Sequence, residues 1–160
     1  MILEDKKNAF VALGDFIRQF ATEDFKYNEA VLKNEDFFSK FESVIHQAVS
    51  HNGWFTKEEV VFALKSWSEA LTHDNLTKWL ADYNLNNEAQ KTVGLILAGN
   101  IPLVGFHDVL SVLISGNKAL IKTSSNDKVL IPSLLEYLIA IAPEFSERIQ
   151  FTKDGFNNFD

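Results

Sequence analysis

The sequence predicts an α/β protein in which a helical amino-terminal region, 1–90, precedes a parallel-sheet region, 91–160. Three observations carry this. Apolar residues recur at helical spacing before residue 90. After it, short apolar runs alternate with helical segments, the grammar of a parallel sheet with crossover helices. The polar corners that follow two of those runs fall at one edge of such a sheet, where ligands bind outside the carboxyl ends of the strands.

The elements follow in order. Phe10, Leu13, Ile17 and Phe20 make one apolar stripe, and Phe37, Phe41, Val44 and Ala48 a second. The second helix is expected to stop at "HNGW", with Gly53 supplying the left-handed residue that commonly follows a helix end. Thr56 and Glu59 form a capping box ahead of Val60, Leu64, Trp67 and Leu71. A short fourth helix is expected around Leu76 to Tyr83, and "NLNNEAQ", 84–90, is a connection.

"TVGLILA", 92–98, has the apolar character of a strand covered on both faces. A helix over 103–115 ends at Gly116-Asn117, "KALIK", 118–122, is a second strand, and "RIQFT", 148–152, a third. Between the last two strands, "TSSND" offers several helix caps, Ser124, Ser125 and Asn126 among them. Pro132 fits the first turn of the helix that follows.

Composition narrows the function classes. The 160 residues are 46% hydrophobic and 23% charged, with both signs mixed, as in a globular protein with a real core. Asn100, His107 and Asp108 interrupt the longest apolar run, so no membrane span is expected. The start, "MILEDKKNAF", lacks the order of a secretory signal, and a cytoplasmic location is the expectation. A net charge of −7 without a Lys/Arg cluster argues against a nucleic-acid partner. Four histidines, at 46, 51, 73 and 107, show no metal-ligand spacing, so no metal is expected. Cysteine is absent, which excludes a cysteine nucleophile within these residues. Neither standard glycine-rich phosphate loop is present.

Residues 92–130 resemble the cofactor-binding half of the aldehyde dehydrogenase superfamily. The shared features are an apolar strand, Gly94 to Ala98; an Asn-x-Pro corner, Asn100-Ile101-Pro102; a helix ending in Gly116-Asn117; and a strand ending in Lys122 with Ser124 shortly after. "NGWFTKEEVVFALKSW" and "GLILAGNIPLVGFHDVLSVLISGN" are similar to the acyl-CoA reductases of the bacterial luminescence type, which form fatty aldehydes.

The resemblance implies a partial Rossmann-like nucleotide-binding domain and an NADPH-dependent reduction of an acyl-CoA or other acyl thioester. It makes Asn100 the donor to the oxyanion, a role whose loss typically costs roughly 100- to 1,000-fold in turnover. Gly99 beside it removes side-chain bulk. Taken alone, Asn100 reads first as a helix cap with Pro102 near the first helical position, and the second corner at Lys122 turns the reading to the donor. Lys122 takes the place of the lysine that bonds the adenosine ribose, with Ser124 and Ser125 in the same loop. Many members have Pro and then Glu after this lysine. Thr123 and Ser125 stand there instead, and a serine with Lys122 accepts a 2′-phosphate that a carboxylate would repel.

The family's cysteine nucleophile is missing, and no motif marks Glu136, Glu144 or Glu147 as a base. The chain ends at "FTKDGFNNFD" with Phe156 and Phe159 unpaired by any later element, so a truncated protein is the expectation. Three short parallel strands leave an edge open to association with another copy. Two alternatives stand beside the reductase. One is a non-catalytic interaction module, with Trp54 or Trp79 as anchors, although core packing is the expectation for both. The other is a relative acting on an acyl phosphate or semialdehyde.

Overall fold

A computed structural model describes residues 1–85, 89–153 and 156. Helices come first: α1 (Leu3–Arg18), α2 (Asn34–His51), α3 (Lys57–Ala70) and α4 (His73–Leu80). Then β1 (Thr92–Ile96), α5 (Phe106–Ile114), β2 (Lys118–Lys122), α6 (Leu130–Ile141), a 3-10 turn at Pro143–Glu147 and β3 (Ile149–Phe151) alternate. The sheet is parallel in the order β1-β2-β3, which makes this an α/β fold with the helices leading.

Helix α1 is the hub. It packs against α3, α4, α5 and α6, so one hydrophobic cluster runs from Ala9 through Phe145. Phe16, fully buried, stacks on Tyr137 of α6 with ring centroids 4.0 Å apart and meets Phe20 and Phe41 edge-on or tilted. The Tyr137 hydroxyl donates to the Leu32 carbonyl at 2.8 Å, and burial pushes its phenol above the ordinary range. Gln19 and Asn34 exchange amide bonds of 2.9 and 2.7 Å, fastening the end of α1 to the start of α2. Gly14 lets α1 touch the end of α3: a Cβ there would lie 2.5 Å from the Leu71 carbonyl oxygen.

Several local expectations need correction. Helix α2 ends with Asn52 extended, and Gly53 is not left-handed. The Asn52 carboxamide accepts the Trp54 N–H at 2.9 Å, and this side-chain turn replaces the glycine-dependent one. The capping box at Thr56 and Glu59 forms as expected, with bonds of 3.2 and 3.0 Å. Helix α4 starts and ends three residues before the expected range because Thr72 caps it, accepting from the Asn75 N–H. Of the expected connection 84–90, residues 86–88 lie outside the described residues, as does Phe159.

Strand β1 is not covered on both faces. Among the described residues it occupies a sheet edge, its first four residues are half-buried, and Ile96 is 75% exposed. The continuous buried run belongs to the central strand β2, at Ala119, Leu120 and Ile121. The Phe156 ring lies against Gly94 of the earlier strand β1. Trp54 is 73% exposed rather than packed in the core, whereas Trp79 packs against it. No helix among the described residues is long and apolar enough to cross a membrane.

The Gly14 contact yields a direct check on helix packing. Gly14→Ala is expected to destabilise the fold by about 1–3 kcal/mol through overpacking, read from urea unfolding.

Candidate functional site at the carboxyl rim of the sheet

The rim is built by strand register. Ile96 pairs with Lys122, and beyond the last rung the Leu97 N–H donates to the Lys122 carbonyl at 3.0 Å. The chain therefore leaves β1 and β2 at the same level and the same edge. Asn100 and Lys122 follow or end these two strands on one rim, with α5 as the segment between them.

Two devices hold the corner loops together. Gly99 is buried against Ser124, and a Cβ at Gly99 would lie 2.4 Å from the Ser124 Oγ and 3.1 Å from the Asp127 nitrogen. Only glycine allows that approach. Asn52 supplies the second device. Its Nδ2 donates to the Gly99 carbonyl at 3.2 Å and to the Asn126 carbonyl at 2.9 Å, so one buried carboxamide from the end of α2 spans both loops.

Asn100 is exposed, and its side chain has no hydrogen-bond partner among the described residues. It does not cap α5. That helix starts six residues later at Phe106, behind Gly105, with no side-chain cap bond. Tight turns fill the interval, with Val104 N–H to Ile101 O at 3.3 Å and Phe106 N–H to Leu103 O at 3.0 Å. Leu103 is buried at a φ of 60°, a left-handed conformation that costs of order 1–3 kcal/mol for such a side chain. Gly105 lets this loop close on the strand end, since a Cβ would lie 2.8 Å from Leu97 Cδ2.

Lys122 and Ser125 line a cleft of about 700 Å³ between the β2 and β3 ends and the start of α6. Thr123, Lys128 and Lys153 line it too. Among the described residues, no carboxylate lines it, and none of the three lysines has an ion-pair partner. Ser124 is turned elsewhere: its Oγ accepts the Asn126 N–H at 3.1 Å and faces Gly99. Asn100 does not line the cleft.

Sequence reasoning missed Asn52, Lys128 and Lys153. The lysines were legible in part, since Lys153 follows the third strand at the same edge, but Asn52 carried no local signal. Asp127, rather than the serines or Asn126, caps the start of α6, accepting from the Val129 and Leu130 N–H groups at 3.3 and 3.2 Å. Burial raises its pKa above the usual carboxylate value, and the two backbone bonds pull the other way. Among the described residues, no group of three His, Cys, Asp or Glu could hold a metal.

The fold and its rim define a parallel α/β chain whose strand ends converge on a polar, cationic cleft of the kind such sheets use for ligands. The family described as Acyl-CoA reductase (LuxC) matches residues 15–150, from α1 to β3, and the chain belongs to that family. No curated protein and no solved structure matches.

Asn52→Ala leaves the Gly99 and Asn126 carbonyls without this donor, and a loss of about 1–3 kcal/mol is expected in chemical denaturation. Asp127 titrates in the opposite sense to a salt-bridged acid. Because its folded pKa is raised, its contribution is fully present below the ordinary value and lost as pH rises through the raised one. The stability of the native chain relative to Asp127→Asn should therefore fall with rising pH across that window, measured by urea unfolding at a series of pH values.

Proposed function

We propose that these residues form the NADPH-binding rim of a reductase that converts an activated fatty acyl thioester to an aldehyde. The observation that carries this reading is the common rim of Asn100 and Lys122, with three lysines and no carboxylate among the described residues that line the cleft on the Lys122 side. A nicotinamide cofactor supplies hydride to the acyl carbon.

Lys122 and Ser125 fit the ribose end of the cofactor. An ammonium and a hydroxyl, with no carboxylate among the described lining residues, favour a 2′-phosphate over a bare ribose diol, and Lys128 and Lys153 add charge of the same sign. Gly99 lets the two loops meet, and the Ser124 turn shapes the floor of that contact. Asn100 presents a neutral carboxamide that no protein group engages among the described residues. Such a donor stabilises the oxygen that becomes negative when the thioester carbonyl is attacked, and it keeps its role across pH.

The thiolate that carries the acyl group in this chemistry is not among these 160 residues. In this reading they contribute cofactor rim and oxyanion donor, and the acyl-bearing cysteine comes from a further segment.

A second reading, docking of a partner protein, draws on Trp54, which is 73% exposed next to the Asn52 tether. Cofactor binding separates the two. In a calorimetric titration with NADPH, the chain should bind saturably, and Lys122→Ala should weaken binding by about 10- to 100-fold, as for loss of a charged hydrogen bond. Equal affinity in the variant would overturn the role given to Lys122, and no binding by the native chain would leave the docking reading in its place.

A further inference from the structure

The helical region carries a groove that the rim does not use. Helices α3, α4 and α5 each contribute to its wall, and its volume is about 350 Å³. That is more than twice the roughly 150 Å³ of an engineered apolar cavity that takes up benzene. It also falls within the range of small-molecule sites, about 300–1,000 Å³.

The lining is uniform in chemistry. Leu71, Leu76 and Leu110, all buried, supply its aliphatic floor. The indoles of Trp67 and Trp79 are half-buried, and the His107 ring lies 6.4 Å from the first and 5.7 Å from the second, centroid to centroid. Trp67 is held in place by an edge-on contact of 4.7 Å with the fully buried Phe106. Among the described residues, no ammonium, guanidinium or carboxylate lines the groove. The Asn75 carboxamide at its edge directs its Nδ2 to the Glu69 carbonyl at 2.8 Å. A concave apolar surface with two half-covered indoles is the kind of surface that marks a binding site.

This lining selects its occupant. A phosphate, carboxylate or ammonium entering here would give up hydration with no counter-charge to replace it. A hydrocarbon chain gives up nothing of that kind and gains with each methylene it buries. The leucine floor reaches from the end of α3 to α5, so a flexible chain can follow it where a flat ring would meet one indole face alone. The family acts on acyl groups, and His107 is the second residue of α5, the helix into which the Asn100 corner leads.

We propose that this groove holds the hydrocarbon chain of a fatty acyl group, against Trp67, Trp79 and Leu110. The choice of an acyl chain over another apolar occupant rests on the reductase reading, whereas the uncharged groove itself does not.

The test is tryptophan fluorescence of the 160-residue chain carrying Trp54→Phe, which leaves Trp67 and Trp79 as its only indoles. Octanol, decanol and dodecanol, neutral mimics of the chain, are titrated below their solubility limits. A saturable blue shift is expected, with affinity rising about fourfold for each added methylene, the factor for burying one CH₂. Ala70→Glu, at the exposed end of α3, sets a carboxylate at the groove and should weaken decanol binding at least about tenfold. Should Ala70→Glu not fold, His107→Glu, at an exposed position of α5, is read with the same expectation. Affinity that does not rise with chain length, tighter binding of cinnamyl alcohol than of nonanol, or undiminished binding by the folded Glu variant would overturn the site. The NADPH titration keeps the two readings apart. Alcohol binding without NADPH binding upholds the hydrocarbon groove and overturns the reductase reading, whereas NADPH binding without alcohol binding overturns the groove alone.

Discussion

Two carbonyls from different loops converge on one carboxamide, that of Asn52, and the carboxyl rim depends on that convergence. The residue sits at the end of α2, far in sequence from both loops, and it is itself buried. Gly99 makes the arrangement sterically allowed, because any side chain would drive Ser124 and Asp127 away. The helical region therefore does more than cover the sheet. It carries the tie that sets how far apart the β1 and β2 loops can be, and so where Lys122 stands relative to Asn100.

Much of this was legible from residue patterns. The β2 strand reads directly as "KALIK", because a central strand with buried neighbours needs an unbroken apolar run. Thr56 and Glu59 announce a helix start through a reciprocal bond that depends only on spacing. The rule that ligands gather at the carboxyl ends of parallel strands located the rim, and family resemblance supplied the roles proposed for its residues. Edge exposure was not legible: "TVGLILA" has a covered strand's composition, yet among the described residues β1 pairs with a strand on one side alone. Asn52 was hidden for a different reason. Its partners lie 47 and 74 residues away, and no local pattern encodes a bond of that range. Gly53 misled because a side-chain turn can replace a left-handed glycine.

The charge layout adds a second level of organisation. The chain is acidic overall, at −7, yet cations without ionic partners among the described residues gather at both ends of a three-stranded sheet. At the carboxyl rim Lys128 and Lys153 are exposed and Lys122 is half-buried. At the amino end most of the Lys6 side chain is covered, and its position is set by α1 packing.

The turn that precedes α5 carries a consequence for Asn100. Leu103 is a bulky residue in a left-handed conformation, and its side chain is 1% exposed. Its own backbone preference works against that shape, so interior packing must impose it. The aim of the carboxamide three residues upstream is thereby slaved to the hydrophobic interior: a cavity opened beneath Leu103 would let the loop relax, redirecting a surface group that the substitution never touches.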